Sequence, residues 1–183
     1  GLCISFAGSG PFIVGEVNTK TQSRNPAPPF TTSSLQQEAF RKINFTAKRT
    51  MLVAQQLYEG LDLSKEEGTV GLISYIRTDS TRISEEAQQE ARNYILESFG
   101  KEYYPKSPRV YVKKGKIQDS HEGIRPSSVY RTPESVKAYL TGDQYKLYKL
   151  IWERFMASQM ASLAQNVTTV DLTAGDFTFR STG

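Results

Sequence analysis

The chain has 183 residues, 38% of them hydrophobic and 23% charged, enough for a packed core in one large domain or two small ones and too apolar for wholesale disorder. No apolar run approaches the roughly 20 residues of a membrane span, and Gly1-Leu2-Cys3-Ile4 lacks the basic lead-in of a signal segment, so a soluble fold is expected; the single cysteine agrees with a cytosolic origin. The only cysteine, Cys3, excludes an intrachain disulfide and a multi-cysteine zinc site. Cys3 itself is expected to be buried. The missing initiator Met and the close at Ser181-Thr182-Gly183 read as a piece cut from a longer protein.

In chain order, Cys3 to Ala7 and Phe12 to Val17 flank Gly8-Ser9-Gly10-Pro11 as strand, turn, strand. Pro26-Ala27-Pro28-Pro29 is a stiff connector. Ser33 with Gln36 makes a capping box for a first helix, and Thr46 caps a second helix carrying Met51, Ala54, Leu57 and Tyr58 on one side up to Gly60. Ser84, with Glu85 and Glu86 in the first turn, opens a third helix whose stripe is Ala87, Ala91, Tyr94, Ile95 and Phe99, stopped by Gly100. From Lys101 to Lys116 six basic residues face one acid, Glu102, within a net charge of +4. Such a run is more often a solvated face than a binding site, so it only weakly favours an anionic partner. Thr132-Pro133-Glu134 starts a short helix with Pro at its first position, and Asp143 a longer one with Leu147, Ile151, Phe155 and Gln159 at fourfold spacing, flanked by Trp152. Val167 to Leu172 and Phe177 to Arg180 alternate about Thr173-Ala174-Gly175-Asp176 as a closing hairpin, with Ala164 to Val167 as the return path. The expected fold is mixed α and β. Residues 1–28 and 164–183 would form one small β-rich domain, into which a mainly helical domain, 29–163, is inserted.

The chemistry concentrates at two places. Gly71-Leu72-Ile73-Ser74-Tyr75-Ile76-Arg77-Thr78-Asp79-Ser80 is an apolar segment ending in a polar cluster. A phenol has a pKa near 10 and attacks poorly at neutral pH unless positive charge or a base favours the phenolate. In an extended segment Tyr75 and Arg77 would project from the same face, where a guanidinium can grip phosphate oxygens. With ten tyrosines in the chain, residue types alone favour a simply packed Tyr75, and Asp79 and Ser80 also read as turn residues.

The second place is Gln118-Asp119-Ser120-His121-Glu122-Gly123-Ile124-Arg125-Pro126, holding the only histidine. An imidazole with flanking carboxylates and Arg125 as an anion contact suits proton transfer beside a phosphate. A lone His is ordinarily structural. Without a second His or a nucleophile elbow, neither a zincin site nor a serine triad is available, and no metal ligands are proposed in the chain.

Four ordered stretches resemble one family. Gly68 through Ser84 closely resembles the active-site segment of bacterial DNA topoisomerase I, a type IA enzyme. Pro28-Pro29-Phe30-Thr31-Thr32-Ser33-Ser34-Leu35-Gln36-Gln37 before it, and His121-Glu122-Gly123-Ile124-Arg125-Pro126 and Leu147-Tyr148-Lys149-Leu150-Ile151-Trp152-Glu153-Arg154-Phe155 after it, are similar to the same family. The resemblance reverses the preference for a merely packed Tyr75. It implies a bacterial, nucleoid-associated enzyme that cleaves and religates single-stranded DNA through a 5′-phosphotyrosyl bond, without ATP, to relax negative supercoils. By motif position Tyr75 matches the nucleophile, Arg77 the arginine on the scissile phosphate and His121 the histidine near the DNA, with Arg125 a further DNA contact. It also implies that the helical domain is a movable gate and the β-rich domain its hinge. Two departures stand out. Gly123 replaces the Ala common in the family, which would loosen the backbone there without removing a functional group. The acidic Toprim pattern that binds Mg2+ in the family does not occur in this sequence. This chain is therefore expected to be incomplete alone, to need the remaining domains of its parent for magnesium and catalysis, or to act in isolation as a non-catalytic single-strand DNA-binding or hinge module.

Overall fold

The structure, a computed structural model, describes residues 12–64, 68–111 and 121–183. The expected strand at Cys3 to Ala7, the burial of Cys3, and Gln118, Asp119 and Ser120 lie outside the described residues. The fold is mixed α and β with two small antiparallel sheets. It divides into two compact units: residues up to Asn25 together with Ser162–Gly183, and Pro26–Ala161.

In the first unit β1 (Ile13–Arg24) pairs antiparallel with β4 (Leu163–Ala174), which pairs with β5 (Phe177–Thr182). β1 runs seven residues beyond the expected Val17, and the presumed return path from Ala164 is itself strand. The β1 extension, Asn18 to Arg24, is wholly polar, and its partner stretch Leu163 to Thr169 has apolar residues only at Leu163, Ala164 and Val167, so no apolar alternation announces them. Instead Thr21 donates to Asn166 Oδ1 at 2.8 Å, and the Thr19 and Thr168 hydroxyls meet at 3.0 Å. The closing turn is tighter than expected: Ala174 pairs with Phe177 across Gly175-Asp176. All of β1 is exposed, and Ala174 is the only buried residue among the described residues of this unit.

The second unit holds the core. α1 (Thr32–Ile43) is capped by Thr31, whose hydroxyl accepts from Ser34 N while Ser34 Oγ accepts from Thr31 N at 2.9 Å. The box therefore sits two residues before the expected Ser33, because Phe30 is held extended against Ile124 and the chain turns immediately afterwards. α2 (Ala47–Glu59) starts from Thr46 as expected and buries Thr50, Val53, Ala54 and Leu57. Tyr58 turns outward. A hairpin of β2 (Leu61–Ser64) and β3 (Gly68–Val70), not expected from the sequence, follows. α3 (Glu85–Ser98) is capped by Ser84 and buries Ala87, Ala91 and Ile95. Phe99, assigned to its stripe, is exposed beside Tyr103 in the short 3-10 turn Lys101–Tyr103. α4 (Pro133–Val136) follows Thr132, and a second 3-10 turn spans Lys137–Tyr139. α5 (Gly142–Gln159) is capped by Thr141 rather than opening at Asp143, since Gln144 at the third position completes a capping box.

The fourfold stripe of α5, Leu147, Ile151, Phe155 and Gln159, is fully sunk. Leu147 and Ile151 join Phe30, Leu35, Leu57, Leu72 and Ile124 in one cluster, and Phe155 joins Ile83, Ala91, Ile95 and Val129 in another. Trp152 packs on both; its Nε1 donates to Val129 O at 3.0 Å and its ring meets Tyr94 edge-on. Among the described residues no helix is long and apolar enough to cross a membrane.

Candidate active site

Tyr75 is presented by a segment pinned from three sides. Leu72, Ile73 and Ile76 are buried in the core. Leu72 N donates to Leu57 O at 2.8 Å, Ser127 N to Leu72 O at 2.9 Å and Ser74 N to Arg125 O at 2.9 Å. The Ser74 hydroxyl donates to Gly123 O at 2.9 Å and accepts from Arg125 N at 3.0 Å. Gly71 makes the approach to α2 possible: a Cβ there would stand 2.7 Å from Tyr58 O, inside van der Waals contact.

Beyond Tyr75 the chain bends at Ile76 and Arg77, so the extended geometry expected from the sequence is not kept throughout. Burial nevertheless alternates, with Tyr75, Arg77 and Asp79 exposed and Ile76, Thr78 and Ser80 buried. The bend is held by Thr32, at the start of α1. Its hydroxyl donates toward Ile76 O at 2.8 Å and Thr78 O at 3.1 Å and accepts from Thr78 N at 3.0 Å, while Thr32 N donates to Thr78 O at 2.9 Å. Arg77 thus sits between two clamped carbonyls. Among the described residues its guanidinium has no ion pair or side-chain hydrogen bond.

Tyr75 is 37% exposed, and its ring is flanked by two others. His121 stacks on it with centroids 4.7 Å apart and an interplanar angle of 29°, and Tyr58 meets it edge-on at 5.7 Å. Sequence reasoning singled out His121 but placed Tyr58 in a helical stripe. The exposed last turn of α2 puts Tyr58 here, and only the close approach at Gly71 reveals it.

Arg125 is engaged otherwise. Its Nε and Nη2 reach Glu122 Oε2 at 2.8 and 2.7 Å, and Nη1 donates to Pro126 O at 3.0 Å. Burial raises the Glu122 carboxyl pKa, but the Arg125 charge and hydrogen bonds from Ser84 and Arg125 outweigh it and hold the group below the usual carboxylate range. Ser84, the cap of α3, donates its own N–H to Glu122 Oε1 at 2.5 Å. Glu122 thereby ties the His121 segment to α3, a role the residue's position in the motif did not reveal. Gly123 is enclosed rather than loose: a Cβ would lie 3.0 Å from Pro29 and 3.4 Å from Ser80 O. Among the described residues no group of three His, Cys, Asp or Glu could hold a metal ion.

An exposed tyrosine in a rigid bracket, stacked on imidazole and two residues from a guanidinium, is an arrangement suited to nucleophilic attack at a phosphate. The family model for DNA topoisomerase matches residues 4–183, and the chain belongs to that family. In three dimensions it is similar to full-length topoisomerase I from Thermotoga maritima, with 43% identity and a TM-score of 0.80 over 93% of this chain. It spans 27% of the length of that relative.

Proposed function

We propose that the chain supplies the nucleophile of a type IA topoisomerase acting on single-stranded DNA. Tyr75 Oη attacks phosphorus in line, a phosphotyrosyl bond forms to the 5′ side, the P–O3′ bond breaks, and the phenolic proton is balanced by the one taken up at the departing 3′ hydroxyl. Reversal religates the strand without ATP, and passage through the protein-held gap relaxes negative supercoils. Arg77 neutralises the non-bridging oxygens; no carboxylate among the described residues pairs with it, which leaves the full guanidinium for the anion. The ring-on-ring contact supports His121 as the group that orients the phenol and stands beside the phosphate. Arg125, with its donors on Glu122 and Pro126, is better suited to holding that segment than to contacting DNA. The described residues do not fit a magnesium site, and no step here is routed through one; the family's Mg2+ belongs to its Toprim domain.

The observation that carries this reading is the exposed, His121-stacked phenol two residues from Arg77, whose guanidinium has no ion pair among the described residues. Tyr75→Phe tests it. With the remaining domains of the enzyme present, the variant is expected to give no covalent oligonucleotide adduct on a denaturing gel, and persistence of the adduct overturns the assignment. A second reading, a non-catalytic DNA-binding or hinge module in isolation, draws support from the small share, 27%, of the similar full-length enzyme that this chain spans. The same gel run on this chain alone decides it, since an adduct there removes that reading.

A further inference from the structure

A groove flanks the C-terminal half of α3 and shares no residue with the Tyr75 site. Arg92, Lys101 and Lys106 rim it over an apolar floor of Leu96, Tyr104 and Pro105, enclosing about 450 Å³, within the roughly 300–1,000 Å³ of ligand sites. Among the described residues none of the three cations pairs with a carboxylate, and no acid lines the groove. The acids on the neighbouring turns are turned elsewhere: Glu90 accepts from Ser128 Oγ and Val129 N, Glu97 from the Tyr130 hydroxyl, and Glu102 lies back against Gly100. Arg92 stands over the Tyr104 ring, 5.7 Å from its centroid, which fixes its plane while leaving N–H donors for an anion.

The far wall is fixed at several points. Ala161 N donates to Tyr103 O at 2.8 Å, Arg109 Nε to Met160 O at 2.7 Å, Gln88 Nε2 to Arg109 O at 3.2 Å and the Tyr111 hydroxyl to Ser158 O at 2.7 Å. Pro105 and Pro108 stiffen the stretch between these tethers. A preformed wall costs little ordering on binding.

We propose that this groove binds the backbone of single-stranded DNA, phosphates on Arg92, Lys101 and Lys106 and an unpaired base or sugar on the Leu96–Tyr104–Pro105 floor. The inference rests on the DNA-topoisomerase reading but does not use Tyr75. Charge alone would admit any polyanion; the apolar floor within reach of three cations selects a strand whose bases are free of a partner.

The test is fluorescence anisotropy of labelled oligo-dT against this chain, titrated between about 50 and 200 mM salt. R92A/K101A/K106A is expected to weaken binding about tenfold at the low end and to reduce the slope of log K against log salt by about 2, since each single-strand phosphate contact contributes roughly 0.7. K48A/K137A/K146A removes the same charge from other elements and is expected to leave the slope unchanged. An unaltered slope in the groove variant, equal losses in both, or competition by polyglutamate or dTMP matching that of oligo-dT overturns the proposal. K106A alone, expected to lower the slope by about 0.7, keeps the test open should the triple variant melt early. Repeating the series on Tyr75→Phe separates the two readings: loss of the adduct leaves the groove's contribution intact, and loss of the groove's contribution leaves the tyrosine assignment untouched.

Discussion

Thr32 shows how much of the site is set by a residue with no chemistry of its own. One hydroxyl holds the peptide groups on both sides of Arg77, so the guanidinium is offered from a fixed backbone. Arg77→Ala is expected to slow adduct formation by about 10²–10³, the usual size for one lost electrostatic donor, and Arg77→Lys to recover only part, because a point charge cannot bridge two oxygens. Single-turnover cleavage of an oligonucleotide by the domain-complete enzyme measures both. Glu122 gives a pH signature. Its folded carboxyl titrates below its unfolded value, so its stabilising contribution is complete above the ordinary carboxylate range and is lost as pH falls through that range toward the folded value. Glu122→Gln should melt lower than the parent at neutral pH, by about 1.5–3 kcal/mol for hydrogen bonds to a charged group, and the gap should narrow on acidification. Thermal melts at a series of pH values check this.

Elements were legible where local capping and periodicity decide them. Thr46, Ser84 and Thr132 cap helices as their positions suggest, and the fourfold stripe of α5 is buried throughout. Elements decided by distant partners were not legible. The polar half of β1 exists because β4 lies opposite, and Tyr58 belongs to the site because Gly71 lets the next segment press on the end of α2. The two motifs were legible as residue types, whereas their joining through Ser74 and Arg125, some fifty residues apart, was not. Gly71→Ala should therefore act on two readouts at once. Overpacking typically costs about 1–3 kcal/mol, seen in the melting midpoint, and a displaced Tyr75 should slow cleavage beyond what the stability loss explains. An unchanged cleavage rate would mean that the contact at Tyr58 is not what positions the phenol.

At the scale of the molecule the two units rest on different physics. The helical unit is built around buried side chains, whereas the sheet, with Ala174 alone buried among its described residues, relies on strand hydrogen bonds and cross-strand pairs such as Arg180 with Asp171 at 2.7 Å. Amide exchange in β1 and β5 is expected to be faster than in α5, where opening must expose Tyr148, Ile151 and Phe155. Equal protection across both units, read by hydrogen–deuterium exchange, would contradict this.

The position of Trp152 gives that division an optical handle. It is the only tryptophan in the chain, and its indole is enclosed by Val129 and Tyr94 inside the helical unit. Emission from it reports on the helical unit that holds it, while circular dichroism sees both units. A denaturation curve followed by the two signals together reports whether the molecule comes apart as one cooperative body or as two, with no label added and no residue changed.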